Sequence, residues 1–427
     1  MPKVFQKIQY YVGLVAVIFA AQSLAQSASE GSVSVSTATS VDNSASSKAS
    51  DIKKSAKEQL FFSKPLVDGK VGISLFSEDT YDGKTANNPI NSYMRAYVLG
   101  NLYFSEDFYI SGNFRYSSSS GDKTAGNYFL DDGSAFISEL ALRYDADKWS
   151  AFIGHTKINY SLAREKAAGL WGTTYVRKEV GVDGMMALGG AYTFDTGVYG
   201  NHALSGSVFM VDTTFLSDTY GTSRDPYQLS TGGPANNGKL NNYAIAVDGL
   251  KIKSLPRFRY QIGTVQMQTE SLQYNITKTT TGQVDTKYLG NEQRYVLAGM
   301  WDKVPLVSNI IATPLLEYNR INNSEGISGF SKDYYIGSLL FGYKQWNLGM
   351  SAGLWNANWQ KQSSTVKQFI PSNSFTNDRY NQLQVALGYV FENGLKATIG
   401  YRKENRMNNL NTQTVGVNLK YDLPFAF

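Results

Sequence analysis

Seven apolar side chains occupy every second position at the end of the chain: Val415, Val417, Leu419, Tyr421, Leu423, Phe425 and Phe427. Gly416, Asn418, Lys420 and Asp422 lie between them. Successive side chains of a strand point to opposite faces, so this segment has one apolar and one polar face. The texture recurs. Leu383, Val385, Leu387, Tyr389 and Phe391 alternate with Gln382, Gln384, Ala386 and Gly388, and Leu395, Ala397, Ile399 and Tyr401 with Lys396, Thr398, Gly400 and Arg402. Leu140 to Tyr144 and Phe108 to Tyr116 follow the same rule, whereas Tyr334 to Tyr343 fits either face. After the first residues, no run approaches the roughly 20 apolar residues of a transmembrane helix. Lipid admits only helices and closed barrels, because every backbone polar group there needs an internal partner. A chain of this texture therefore meets a membrane as a closed barrel, or forms a sandwich in water.

The connections favour the barrel. Ser105-Glu106-Asp107, Asp145 to Lys148, Ser254-Leu255-Pro256 and Glu392-Asn393-Gly394 read as tight turns. Between them fall long polar stretches near 118–133, 157–183, 213–240, 269–291, 322–332 and 358–377. Short turns on one rim and long loops on the other belong to outer-membrane barrels. Aromatic residues bracket the turns (Phe104 and Phe108, Tyr144 and Trp149, Tyr343 and Trp346), as an interfacial girdle requires. A sandwich needs neither feature. The expected fold is all-β: a transmembrane antiparallel barrel of about sixteen strands, at 69–77, 93–104, 108–117, 134–144, 149–156, 184–194, 203–212, 241–252, 257–268, 292–301, 309–321, 333–344, 346–357, 379–391, 395–403 and 412–423. An even number brings both ends of the strand series to the periplasmic rim.

Ahead of the strands stand two other textures. Lys3 and Lys7, the apolar run Tyr10 to Ala21 and the small residues of Ser23-Leu24-Ala25 have the three-part layout of a signal peptide, with Gln26 first after the cut. Residues 26–67 read as a Ser-rich periplasmic linker with a short helix near Asp51 to Phe62, and the barrel domain occupies 68–427. The formal net charge is +5, and +3 without Lys3 and Lys7, too small and dispersed for a nucleic-acid partner. There is no cysteine, so disulfides and thiolate metal clusters are excluded. No HExxH or paired histidine is present, and no cofactor is expected.

Taken together, the chain resembles the Gram-negative outer-membrane porin superfamily. The terminal Tyr421-x-Leu423-x-Phe425-x-Phe427 is similar to the strand signal read by the barrel assembly machinery, and the strand number and long third loop add to the likeness. The resemblance covers Asp68 to Phe427 and is one of architecture, with no family-specific string; the Ser-rich leader departs from the general pattern. It implies an outer-membrane location amid lipid, a homotrimer, and a water-filled channel for passive diffusion of small hydrophilic solutes and ions. It also implies that the third long loop folds inward as a constriction. That loop carries Arg164, Glu165, Lys166, Trp171, Arg177, Lys178, Glu179 and Asp183.

The facing wall follows from alternation. A charge on the lipid face costs roughly 2–4 kcal/mol at the midplane, so charges are expected inward. The inward parity holds Arg95, Arg115, Arg143, Arg257, Arg259, Arg294, Lys396, Arg402 and Lys420 against Glu139, Asp248, Glu292 and Glu317. The excess of base implies weak anion preference. Tyr93, Tyr97 and Tyr103 share the parity of Arg95 and form a weak candidate for a sugar path, although a girdle position also suits Tyr103. Two other readings stand beside the channel: an adhesive or structural barrel binding through its loops, and an outer-membrane hydrolase. The hydrolase would need a histidine base, and only His155 and His202 are available.

Overall fold

The computed structural model describes residues 66–81, 90–118, 128–130, 133–172, 180–221, 228–275, 281–283, 286–359, 379–406 and 410–427. The signal peptide, most of the linker and its short helix, and Arg177, Lys178 and Glu179 lie outside the described residues. One sheet of nineteen strands dominates; three are short rim pieces (Tyr128–Phe129, Thr219–Gly221, Val304–Pro305), which leaves sixteen long strands. They are β1 (Leu66–Tyr81), β2 (Ile90–Tyr103), β3 (Phe108–Ser118), β4 (Gly133–Asp145), β5 (Trp149–Thr156), β6 (Met185–Asp195), β7 (Asn201–Val211) and β8 (Asn242–Leu250). Then follow β9 (Phe258–Met267), β10 (Glu292–Trp301), β11 (Ile311–Asn322), β12 (Phe330–Tyr343), β13 (Trp346–Trp359), β14 (Arg379–Val390), β15 (Lys396–Arg406) and β16 (Leu410–Ala426). Each pairs antiparallel with its sequence neighbours, and β16 pairs with β1, so the sheet closes on itself. Every segment expected to be a strand overlaps one of these.

Closure is sealed at the short-turn rim. Val67 donates to the Phe427 carbonyl at 3.1 Å and accepts from Phe427 N–H at 2.8 Å. Full pairing removes the exposed edges that lipid would not tolerate. Phe425 lies on the outer face across Gly69, where an added Cβ would sit 2.7 Å from the ring. Tyr421, Leu423 and Phe427 are exposed on that same face.

Outside, the alternation runs as the sequence implies. Val98, Ile153, Leu188, Leu297, Leu316 and Ile399 are exposed. Near the short turns stand aromatic pairs: Phe104–Phe108 at 5.9 Å, Trp149–Tyr192 at 4.4 Å, Phe258–Trp301 at 4.5 Å and Trp346–Tyr389 at 4.7 Å between centroids. An apolar belt bounded by such pairs fits a bilayer.

Inside, the two halves of the wall differ. From β15 through β1 to β4 the inner face is polar and charged. From β6 to β12 it is largely apolar, with Met185, Ala187, Phe209, Ala244, Val265, Val296, Ala298, Met300 and Leu315 buried. These pack with Ile158, Tyr160, Leu162, Val180 and Val182 of the loop between β5 and β6. The sequence implied a lumen occupied by water, and over this arc the third loop fills part of it instead. Part of the lumen holds a dry core, because the loop supplies the apolar partners that water would not. This also explains why Tyr334 to Tyr343 fits either face: Tyr334 and Ile336 belong to that inner core while Tyr335 is exposed outside.

A candidate permeation path between the third loop and a basic wall

The loop between β5 and β6 is fastened along its length. Ile158 N–H donates to Val182 O at 2.9 Å, so the outgoing and returning limbs pair. Ser161 caps a one-turn helix, α1 (Leu162–Lys166), by accepting from Arg164 N–H at 3.1 Å. The Glu317 carboxylate on β11 accepts from Ser161 Oγ at 2.5 Å, from Ala163 N–H at 2.7 Å and from Asn319 Nδ2 at 2.7 Å. A carboxylate at exposed helical N–H groups satisfies donors that the short helix cannot. Arg294 on β10, paired with Glu292 at 2.6 Å, donates to Gly181 O at 2.9 Å and holds the returning limb.

Beyond α1 the chain crosses to the opposite wall. Ala168 N–H donates to Ser338 Oγ on β12 at 2.7 Å, and Trp171 N–H donates to Gln384 Oε1 on β14 at 3.2 Å. Gly169, at φ 107°, passes so close that a Cβ would meet Gln384 at 2.6 Å. The Trp171 ring fits a notch over β15 and β16, where Cβ atoms at Gly400 and Gly416 would fall 3.1 and 2.5 Å from it. Its Nε1–H donates to Glu78 on β1 at 2.8 Å, and the Arg402 guanidinium lies 4.8 Å from its centroid.

Two charged faces result. On the loop, Lys157 pairs with Glu165 at 2.6 Å, Arg164 pairs with Asp183, and Lys166 is half-buried. On the wall, Arg115 lies within the fields of Asp183, Glu165, Arg164 and Glu139. Arg143 pairs with Glu139 at 2.7 Å and leans over Phe152 at 5.6 Å. Arg95 stacks over Phe76 and Tyr93 at 4.9 and 5.0 Å. Among the described residues, Arg95 and Arg115 form no ion pair. Arg259 has inward parity beside Asp248, and Lys396 joins Asp422 at 3.3 Å.

Arg257 is a correction. It lies in the turn before β9 at φ 67° and donates to Lys303 O at the rim, off the wall. The strand begins one residue later, at Phe258, so the inward parity of the wall does not reach Arg257. Tyr103 keeps the inward parity it shares with Arg95, 4.9 Å from Tyr109 and near Asp68. Tyr93 and Tyr97 are likewise tied to carboxylates, Glu78 and Asp422. Alternation could not reveal Glu78 as the neighbour of Tyr93, or Lys70 and Asp422 as neighbours of Tyr97, because that requires strand register.

The histidines occupy other surroundings. His155 Nδ1 lies 2.5 Å from Asp212 Oδ2, both buried, while Ser161 Oγ serves Glu317. His202 sits in the outer girdle, bonded to Tyr260 Oη at 2.9 Å. Burial alone would raise the Asp212 carboxyl, but hydrogen bonds from His155 and Thr214 hold it below its ordinary value.

No family model matches the chain, and no curated protein matches it in sequence. Solved structures do match in shape. OprB of Pseudomonas putida superposes with a TM-score of 0.60 at 10% identity, covering 87% of this chain and 97% of that one. The outer membrane channel DcaP of Acinetobacter baumannii gives a TM-score of 0.50 at 12% identity, covering 84% and 97%. The closed sixteen-stranded barrel and these likenesses together show that the chain shares its antiparallel β-barrel fold with OprB and DcaP.

Proposed function

We propose that the protein is a passive diffusion channel of the outer membrane, admitting small hydrophilic solutes and ions with a weak preference for anions. The observation that carries this reading is the third loop laid across the lumen, its mixed charges opposite a wall bearing Arg95, Arg115 and Arg143. A narrow passage lined by fixed charge selects by size and sign. Arg164, Glu165, Lys166 and Asp183 would form the loop side of the constriction, with Trp171 anchoring it. Arg177 and Glu179 keep that role as an expectation from the resemblance. In this reading the leader directs export, the terminal strand addresses the assembly machinery, and three copies associate; the chain carries no catalytic role.

Single-channel recording of the refolded protein in a planar bilayer tests it. Discrete ohmic steps are expected, with a reversal potential under a salt gradient whose sign favours chloride. Folded, inserted protein that passes no current would overturn the reading.

A further inference from the structure

Beyond the loop's reach, the inner wall gathers more positive charge than it neutralises. Register places Lys396 on β15 opposite Lys420 on β16, Lys420 opposite Ser74 on β1, and Ser74 opposite Arg95 on β2. The adjoining row runs from Asp422 through Gly72 and Tyr97 to Arg115. Lys396 and Lys420 both reach the same Asp422 oxygen, each at 3.3 Å. The Tyr97 hydroxyl donates to the other oxygen at 2.5 Å. Lys70 and Lys420 lie 5.6 and 5.5 Å from the centroid of the Tyr97 ring. Lys70 forms no ion pair among the described residues.

This geometry is held in place. Tyr97 crosses the strand beside it only because position 72 has no side chain: a Cβ there would lie 2.3 Å from the ring. So three ammonium groups on β1, β15 and β16 converge on one carboxylate and one ring. The lysines paired to Asp422 are partly wetted, at 27% and 33% exposure, and are thus open to the lumen. Like charges this close repel, and one carboxylate leaves a surplus of two. A compact dianion would balance that surplus, accepting charge-assisted hydrogen bonds from several ammonium groups at once.

We propose that Lys70, Lys396 and Lys420, arranged around Asp422 and Tyr97, form a saturable site for a small dianionic oxyanion, such as hydrogen phosphate or a short dicarboxylate. The proposal deepens the channel reading and rests on it for access to the lumen. Asp422 acts as a resident competitor: it keeps the lysines poised and weakens binding enough for release. Rapid passage requires such weak holding.

The test is calorimetric titration of inorganic phosphate, and separately succinate, into the folded full-length protein in detergent, beside conductance of the same preparation. Saturable binding is expected. Lys70→Gln and Lys420→Gln should each weaken it about tenfold or more, the loss of one charge-assisted contact. Asp422→Asn should tighten it, an effect that a merely structural role for the carboxylate would not give. Tighter phosphate than succinate identifies a tetrahedral oxyanion as the preferred ligand, and the reverse order a dicarboxylate. Non-saturable uptake unchanged by Lys420→Gln would overturn the site even where chloride steps persist. Saturable binding without any conductance would overturn the channel reading and leave the site standing.

Discussion

Glycine and aromatic residues work as pairs in this barrel. Gly416 and Gly400 make the notch for Trp171, Gly72 lets Tyr97 cross, and Gly69 lies under Phe425. A side chain added at position 416 has no room, since even its Cβ would fall 2.5 Å from the indole. Gly416→Leu should therefore expel Trp171 and release the loop tip. Trp171→Ala removes the same anchor from the other side and should cost about 3 kcal/mol, as for a buried aromatic truncation. Urea unfolding followed by tryptophan fluorescence and gel mobility checks both, and an unchanged midpoint would mean that the notch contributes nothing. Only part of this was legible from sequence. Alternation assigned Trp171 to the third loop and Gly416 to a polar face, but a contact between residues so far apart along the chain needs register and loop path.

At the scale of elements, the third loop behaves as a shelf built into the wall. Its apolar side chains share a core with β6 to β12, and Glu317, Ser338 and Gln384 hold its backbone. Excising 164–172 with a short Gly-rich bridge should raise conductance severalfold and flatten ion selectivity, read in the planar bilayer. The next long loop has a different fastening. The 219–221 segment adds to β4, pairing Ser134 with Gly221, and the buried His155–Asp212 contact sits at its base. Asp212 is held below its ordinary value in the folded protein, so its contribution is present above the unfolded carboxylate range, around pH 4, and fades as pH falls through the lowered folded value. Limited proteolysis of the 212–221 segment should stay slow at neutral pH and quicken under acid. Asp212→Asn should quicken it at neutral pH and remove the dependence on pH. Equal cleavage of the natural protein across the range would remove the clasp from the account. Alternation exposed strands with one polar face readily, and it blurred where a loop covers the inside, because apolar side chains such as Tyr334 and Ile336 then stand on the inner face too.

The barrel, taken whole, is a charged tube with a lopsided filling. Arg95, Arg115, Arg143, Lys70, Lys396, Lys420 and Arg402 come from six consecutive strands, β15 through β1 to β4, so base accumulates on one arc. Fields from partly exposed charges fade over roughly 10 Å in 0.1 M salt and about 3 Å in 1 M. Anion preference should thus be clear in dilute salt and nearly vanish in concentrated salt. A reversal potential independent of ionic strength would point to selection by size alone. The barrel itself was readable without any structure: strand number, turn asymmetry and girdle all follow from local pattern. The lumen was less so, since its content depends on where one long loop goes.

The dry core behind that loop also bears on how the protein reaches its membrane. Strands β6 to β12 carry apolar side chains on the inner face as well as the outer, among them Phe209, Val265, Met300 and Leu315, so until the loop docks part of each face presents greasy surface to water. The docking contacts join Trp171 to Gln384 across 213 positions, and they form only after the last third of the chain has arrived. Such non-local pairing is slow and leaves intermediates prone to clumping. A chaperone escort through the aqueous gap is therefore a stronger need here than for a barrel with a wholly polar interior. Variants that loosen the loop should show their first defect as aggregated, undelivered protein, before any change in the current that surviving molecules carry.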